Sequence, residues 1–150
     1  MSSRPVRYVR ATTAHHFAQI AGLQKTIFPY DTPHPTDSGA WWLAFDGAFP
    51  VAFAGVVPST QWCDAAYLCR AGVVKSHRGR GIQKHLIVLR ERHMRAQGMN
   101  WMVTDTTKNP ASSNSLIAKA YRLFEPSKPW GLAGALYWRK RIGHQERKRG

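Results

Sequence analysis

Two glycines separated by a single arginine form the first candidate site of this chain. The segment Arg78-Gly79-Arg80-Gly81-Ile82-Gln83-Lys84 lies between a predicted strand and a predicted helix. Backbone N–H groups in the first turn of a helix lack intrahelical partners and carry partial positive charge, so they attract anions. Glycine lets the backbone approach the anion closely, and the cations of the segment add full charges around it. The segment therefore predicts a binding site for a phosphate or pyrophosphate group.

Absent motifs narrow the choice of nucleotide. The chain has no Walker pattern Gly-x-x-x-x-Gly-Lys-Ser/Thr, and the segment from Gly79 to Lys84 lacks the third glycine of the dinucleotide fingerprint. The turn also follows about four predicted strands, whereas that fingerprint follows the first strand of its fold. On the residues alone, an ordinary strand-to-helix turn without a ligand is the alternative interpretation.

The elements that must position this turn follow from apolar periodicity and turn residues. Alternating and β-branched residues predict strands at 6–10, 41–45, 51–57, 65–74, 101–106, 121–124 and 135–139. Helical spacing predicts a helix from Thr12 or Thr13 to Ile27, a second from Gly79 or Gly81 to Gln97, and a short one from Ser112 or Ser113 to Ala120. The predicted order is β, α, β, β, β, α, β, α, β, β, which indicates one α/β domain.

Two connections and one terminus carry signals of their own. Asp46-Gly47 separates two strands and is the strongest short hairpin signal in the chain. The segment 29–39 contains three prolines and two aspartates, so we expect a mobile loop on the substrate side. The last strand leads into a basic tail, 143–150, whose final residues we expect to be unstructured.

The glycine turn resembles motif A of the GNAT N-acetyltransferases. The run Val73-Val74-Lys75-Ser76-His77-Arg78-Gly79-Arg80-Gly81-Ile82 is similar to that motif, whose core is Arg/Gln-x-x-Gly-x-Gly/Ala after a strand that ends in valine. Arg78 and Gly81 match the core. Gln83 occupies the last small-residue position and departs from it.

A second stretch is similar to motif B of the same family, in which an asparagine and a small residue open a helix that runs into Gly-Phe. Asn109 and Ser112 match, while Ala120 stands at the glycine position and Tyr121 at the phenylalanine position. Leu116 occupies the position where many members carry a tyrosine proposed to protonate the departing thiolate. With residues 135–140, these features resemble a GNAT subgroup found in bacteria and their phages, and the resemblance covers residues 5–142.

The resemblance implies a fold, a co-substrate and a set of binding residues. The fold would be α/β (α+β), with a mixed central sheet of six to seven strands, helices on both faces and a splayed central strand pair. Acetyl-CoA would be the co-substrate, with its pantetheine arm against unpaired backbone groups of Val73 and its neighbours. The residues implied to bind the coenzyme are Val73, Val74, Arg78, Gly79, Arg80, Gly81, Ile82, Gln83, Lys84, Asn109 and Ser112. The implied activity is acetyl transfer to a primary amine by direct attack in a ternary complex.

Direct attack requires a neutral amine, so the site needs a proton acceptor and a proton donor. Asp105 lies nearest the predicted cleft among the eight acidic residues, and Tyr121, Tyr137 and Tyr67 each carry a hydroxyl. We predict Asp105 and Tyr121 as catalytic residues. The simpler interpretation makes the aspartate a solvated strand end and the tyrosines core aromatics.

The net charge of +14 and the isoelectric point of about 10.6 exceed what an anionic coenzyme needs. A surface of this charge attracts polyanions, so an acidic protein or a nucleic acid is a candidate partner, with the basic tail as the recruiting segment. The competing function is a catalytically degenerate GNAT-fold module that binds one of these partners without turnover.

Size and composition set the remaining expectations. A chain of 150 residues, 43% of them hydrophobic, fits one domain, and it has no apolar run long enough to span a bilayer. We therefore expect a soluble, cytoplasmic protein with no membrane partner. Cys63 and Cys69 are expected to be free and buried, and no metal-ligand pattern such as His-Glu-x-x-His predicts a metal site. The oligomeric state stays open, with a dimer as one option.

Overall fold

Seven strands and three α-helices build the described part of the protein. The computed structural model describes residues 4–143. In chain order the elements are β1 (Arg7–Arg10), α1 (Ala14–Ile27), β2 (Ala40–Asp46), β3 (Phe49–Pro58), β4 (Ala65–Val73), α2 (Ile82–Ala96), β5 (Trp101–Thr106), α3 (Pro110–Ala118), β6 (Arg122–Phe124) and β7 (Leu136–Arg141). This order is the predicted one. Apart from Gly143, the predicted basic tail lies outside the described residues.

The strands form one mixed sheet in the order β1-β2-β3-β4-β5-β7-β6. β2 pairs antiparallel with β1 and β3, and β7 pairs antiparallel with β5 and β6. β4 and β5 are parallel, and their recorded register joins Ala65–Tyr67 to Trp101–Val103. β5 continues beyond that register to Thr106. The predicted mixed α/β sheet of six to seven strands is confirmed, and the splay of its central parallel pair stays a prediction.

The chain comprises two compact units. The first contains the described residues up to Val57 together with Leu68–Arg90, and the second contains Pro58–Tyr67 together with the described residues from Glu91 onward. The glycine turn belongs to the first unit. Asp105 and the stretch that resembles motif B belong to the second.

The helix α1 begins at a capping box in the first unit. The Thr13 side chain accepts a hydrogen bond from the His16 N–H (3.1 Å), and the His16 ring accepts one from the Thr13 N–H (3.4 Å). The apolar side of α1 packs into a buried cluster with aromatic residues of β2 and β3: Ile20, Leu23, Trp41, Phe45 and Phe53. Burial of each of these side chains contributes about 1.5–3 kcal/mol to stability.

Helices cover both faces of the sheet in this unit. Val9 packs against the cluster under α1. Successive residues of a strand point to opposite faces, so Tyr8 points away from α1. The Tyr8 ring lies 4.0 Å from the ring of His85 in α2. The two helices therefore pack on opposite faces, as the sequence predicted.

The predicted loop at 29–39 is held to the body of the first unit. The buried Gln24 side chain donates to the His34 carbonyl (3.0 Å) and accepts from the His34 N–H (2.7 Å). Trp41 Nε1 donates to the Ser38 carbonyl (2.9 Å). These bonds attach both the middle and the end of the loop to the unit. A motion of the loop at His34 or Ser38 would have to break them.

In the second unit, α3 starts earlier than predicted. Its N-cap is Asn109, whose side chain accepts a hydrogen bond from the Ser112 N–H (3.1 Å). Pro110 is the first residue of the helix. The sequence prediction placed the cap at Ser112 or Ser113 because serine is a common cap. The combination of a capping asparagine and a following proline is the stronger start signal.

The end of α3 forms a Schellman motif. The Ala120 N–H donates to the Ile117 carbonyl (3.0 Å), and the Tyr121 N–H donates to the Leu116 carbonyl (2.9 Å). Ala120 has φ = +70°, a left-handed value that glycine normally supplies at this position. The backbone conformation expected at the glycine position of motif B is thus present although the residue is alanine.

Candidate functional site

The glycine turn of the first unit leads from β4 to the start of α2. Gly79 and Gly81 have φ angles of +78° and +77°, values that other residues adopt only at a steric cost. A Cβ added at either glycine would have no atom within 4 Å. The backbone conformation therefore requires the glycines, and the space beside them is open to a ligand.

The start of α2 supplies groups that bind anions. The first hydrogen bond of the helix runs from the His85 N–H to the Gly81 carbonyl (3.0 Å), so the N–H groups of Ile82 and Lys84 precede the ladder. The side chains of Arg80 and Lys84 are exposed. Backbone N–H groups at a helix start, open glycines and two cations are a donor set that fits a pyrophosphate.

A short polar chain fixes this turn to the β2–β3 hairpin. His77 Nε2 lies 2.8 Å from Asp46 Oδ2, and His77 Nδ1 lies 2.8 Å from Ser76 Oγ. The hydrogen bond with His77 lowers the pKa of Asp46 below its ordinary value, and the positive charge of Arg80 acts in the same direction. Asp46 thus supports the turn as well as the hairpin, a second role that Asp46-Gly47 did not signal.

Two backbone groups at the end of β4 already have protein partners. The Val73 carbonyl accepts a hydrogen bond from Arg78 Nε (3.1 Å), and the Val74 N–H donates to the Val51 carbonyl (2.9 Å). The expectation of unpaired groups at Val73 and its neighbours is therefore not met by these two atoms. Contact between Val73 or Val74 and a coenzyme stays a prediction.

Asp105 lies on β5 in the second unit, where one of its oxygens is held from two sides. Its Oδ1 accepts hydrogen bonds from the Tyr67 hydroxyl (2.7 Å) and from Trp130 Nε1 (3.0 Å). Within residues 4–143 no group donates to Oδ2, and the side chain is half-buried. Oδ2 faces Gly131. A carboxylate with one oxygen hydrogen-bonded and the other without a donor can accept a proton.

Five aromatic rings, here called the aromatic cluster, pack beside this carboxylate. The Trp130 ring lies in the β6–β7 connection, and its centroid is 4.6–6.3 Å from the centroids of Trp62, Tyr67, Phe124 and Tyr137. Aromatic pairs at such distances contribute beyond their buried area. Sequence reasoning missed Trp130, because its partners come from four different parts of the chain.

Tyr121 is placed in different surroundings. It is 3% exposed, and its hydroxyl donates to Glu91 Oε2 (2.8 Å). Lys140 Nζ lies 3.0 Å from the other oxygen of Glu91. This ion pair balances the charge of a buried carboxylate, as burial demands. The two residues predicted as catalytic thus lie in separate hydrogen-bonded groups, and the catalytic role of each stays a prediction.

Asn109 and Ser112, predicted to contact the coenzyme, contact each other. The Asn109 side-chain oxygen caps α3 through the Ser112 N–H. Capping explains the asparagine without a ligand, because the N–H groups of the first turn otherwise lack partners. A contact with the coenzyme stays a prediction for both residues.

The thiols depart from one expectation. Both cysteines are free, as predicted, but Cys63 is exposed and Cys69 is half-buried. The prediction that both are buried was wrong, because Cys63 lies in the β3–β4 connection. Desolvation raises the pKa of the Cys69 thiol.

Residues 4–143 contain neither a metal-binding cluster nor a membrane-spanning helix. No group of three or more His, Cys, Asp or Glu residues is arranged to hold a metal ion. No helix in this range combines the length and the apolar composition needed to cross a membrane.

Comparison with known families identifies the class of protein. The Acetyltransferase (GNAT) family matches residues 10–121, which is most of the chain and includes the glycine turn and Asp105. The protein therefore belongs to the GNAT family of acetyltransferases, which uses acetyl-CoA, and family and fold together support acyl transfer as its general activity. No curated protein matches the sequence.

Solved structures share the fold at low sequence identity. A GNAT-family protein from Desulfovibrio desulfuricans has a TM-score of 0.75 at 12% identity, covering 92% of this chain and 99% of that one. The ribosomal-protein-S18-alanine N-acetyltransferase from Escherichia coli has a TM-score of 0.73 at 9% identity, covering 93% and 97%. The NatC complex bound to Gag peptide and CoA contains a chain with a TM-score of 0.69 at 15% identity, covering 91% and 96%. Identities this low establish the fold and leave the acceptor open.

Proposed function

We propose that the protein transfers an acetyl group from acetyl-CoA to a primary amine by direct attack in a ternary complex. The observation that carries the proposal is the glycine turn, where Gly79 and Gly81 at positive φ open onto the start of α2. Arg80 and Lys84 are exposed beside them. The pyrophosphate of the coenzyme is the ligand group that this donor set suits.

The other coenzyme contacts are proposed from the family match. They are Val73, Val74, Arg78, Ile82 and Gln83 near the turn, with Asn109 and Ser112 at the start of α3. When bound, acetyl-CoA supplies a thioester carbonyl that an amine can attack. The two free thiols favour a reducing compartment, so we place the enzyme in the cytoplasm.

Asp105 is the proposed general base. An alkylamine is protonated at neutral pH, and Oδ2 can take one proton from its nitrogen because Oδ1 alone is engaged by Tyr67 and Trp130. The nitrogen then bonds to the carbonyl carbon while the carbon–sulfur bond breaks. The nitrogen releases its second proton to solvent, and the sulfur leaves with a proton from a donor, which regains one from solvent. Of the two predicted catalytic residues, Asp105 can act without giving up a hydrogen bond.

Tyr121 remains the proposed donor of the proton to the sulfur, on the basis of its position in the stretch that resembles motif B. Its hydroxyl proton currently points to Glu91, in a buried group with Lys140. Donation to the sulfur therefore requires the Tyr121 hydroxyl to break its hydrogen bond with Glu91 first.

The test is a turnover assay with acetyl-CoA and a panel of amines. Thioester absorbance is the suitable signal, because the exposed thiol of Cys63 would react with thiol reagents. We expect loss of thioester that depends on the amine and saturates with both substrates, with small amines, peptides and aminoglycosides as the panel. Binding of coenzyme A without amine-dependent turnover would contradict the transfer step and leave the binding assignment standing.

A further inference from the structure

A pocket opens on one face of the sheet in the second unit, around the first residues of β5. Asp105 lies further along the same strand. Its volume is about 90 Å³, and its lining consists of Trp62, Asp64, Ala65, Trp101, Val103, Phe124 and Arg139. Three of these residues are aromatic, and the strand residue Ala65 is the smallest among them. The pocket therefore has ring walls and room for part of a planar group.

Three arginines lie on this same face. The β6–β7 register places Arg122 directly opposite Arg139, and the β5–β7 register places Arg141 opposite Trp101. Like charges directly opposite each other on a sheet are destabilising. Within residues 4–143 none of the three arginines forms an ion pair with a carboxylate. Among the described residues, the face therefore carries three cations against one carboxylate, that of Asp64 in the pocket lining, and its net charge is positive.

A third cation of β7, Lys140, lies on the opposite face of the strand and is neutralised there. Lys140 points to the opposite face, because side chains alternate along a strand. There Lys140 pairs with the buried Glu91 at 3.0 Å. The excess of positive charge is therefore a property of one face, with Arg139 and Arg141 at its centre.

Aromatic rings hold the guanidinium groups in place. Arg139 Cζ lies 5.3 Å from the ring centroid of Trp101 and 4.8 Å from that of Phe124, and Arg141 Cζ lies 5.4 Å from that of Trp101. Cation–π contacts order a guanidinium without removing its charge or all of its donors. The arginines are thus positioned beside the pocket and can still bind an anion.

We propose that this arginine–aromatic face binds single-stranded nucleic acid, with part of one base in the pocket and phosphates on the arginines. Proteins hold single strands by stacking bases on aromatic rings and by following the backbone with cations. The net charge of +14 draws a polyanion toward the whole chain. An acidic peptide would use the arginines but would leave the ring-walled pocket without an occupant. The inference does not rest on acetyl transfer.

The test compares two labelled strands of equal length by fluorescence anisotropy, one a thymidine homopolymer and the other abasic. The two carry the same phosphates, so any difference reports the bases. We expect the full-length protein to bind the thymidine strand about tenfold more tightly than the abasic strand. Equal affinities would overturn the proposal.

Variants then separate the contribution of the bases from that of the phosphates. Ala65→Leu fills the pocket and is expected to abolish the difference between the strands while leaving affinity for the abasic strand unchanged. Arg139→Gln is expected to weaken both strands and to reduce the slope of log affinity against log salt by about 0.7. Arg92→Gln removes the same charge from an exposed position on α2 and is expected to leave both the slope and the difference unchanged.

Ala65 is buried, so a second pocket variant protects the test against misfolding. Trp101→Leu removes a ring from a half-buried position, and circular dichroism checks the fold of each variant. A base-dependent difference that persists in both folded variants would overturn the pocket assignment. An acidic peptide that displaces the thymidine strand better than unlabelled thymidine strand does would overturn the nucleic-acid assignment. Unchanged small-amine turnover in Arg139→Gln would support a site separate from catalysis.

Discussion

The glycine turn and the arginine–aromatic face are both positive surfaces, but the chain builds them in different ways. The turn is one continuous segment, Arg78–Lys84, and its anion-binding groups come from local backbone geometry. The face combines residues of β5, β6 and β7 with Trp62 from the β3–β4 connection. A site made by local backbone can be recognised in a sequence. A site made by strand register can be recognised only once the register is known.

The largest expected effect concerns the second unit, at Asp105. Asp105→Asn removes the proton acceptor but retains an oxygen for Tyr67 and Trp130, so we expect kcat to fall about a hundredfold or more. Trp130→Phe keeps a ring but removes the indole N–H, and we expect a smaller loss. Steady-state kinetics with a small amine measure both. A wild-type kcat in Asp105→Asn would remove the aspartate from the proposed mechanism.

The next effect separates capping from coenzyme binding at the start of α3. Asn109→Ala removes the bond to the Ser112 N–H, so stability should fall by about 1 kcal/mol. We also expect a several-fold rise in the KM for acetyl-CoA, and the same rise in Ser112→Ala. Asn109→Asp keeps a capping oxygen and serves as the control. A lower stability with an unchanged KM would show that Asn109 is a cap and nothing more.

A smaller effect is expected at the end of the same helix. Ala120→Gly relieves the left-handed conformation of an exposed residue, so the free energy of unfolding should rise by about 0.5–1 kcal/mol. The control is Ala118→Gly at the last residue of α3, where no left-handed conformation is relieved and glycine should lower stability by up to about 1 kcal/mol. Urea denaturation measures both. If Ala120→Gly were as destabilising as the control, the Schellman geometry at this position would be wrong.

The smallest effect links the glycine turn to pH. Because hydrogen bonding with His77 lowers the folded-state pKa of Asp46, its contribution to stability is complete above the unfolded-state pKa and is lost as pH falls through the folded-state pKa. The melting temperature of the wild type should therefore exceed that of Asp46→Asn at mildly acidic pH, and the gap should narrow on further acidification. A gap that widens on acidification would show that the hydrogen bond between Asp46 and His77 does not stabilise the fold.

The fold was largely predictable because its signals are local. Asp46-Gly47 predicted the hairpin, and apolar spacing predicted α2. Of the two threonines predicted to cap α1, Thr12 and Thr13, the cap is Thr13. The cap of α3 was misplaced by three or more residues, at Ser112 or Ser113 instead of Asn109, because several residues in that stretch can cap a helix.

The site was predictable in part. The anion site at Gly79 and Gly81 could be predicted because glycines at the start of a helix let an anion approach the backbone N–H groups. Trp130 could not be found, because its contact with Asp105 depends on how the β6–β7 connection folds over the sheet. The partners of Tyr121 were equally hidden, since Glu91 and Lys140 lie 30 and 19 positions away in the sequence.

Calorimetric titration of coenzyme A into the wild type and two variants tests the central claim most directly. Gly81→Ala adds the strain of a side chain at φ = +77°, and Gly81→Glu adds that strain together with a negative charge. The account predicts that the wild type binds coenzyme A, that Gly81→Ala weakens binding by about tenfold at most, and that Gly81→Glu weakens it by about a hundredfold. An unchanged affinity in a folded Gly81→Glu variant would contradict the placement of the pyrophosphate at the glycine turn.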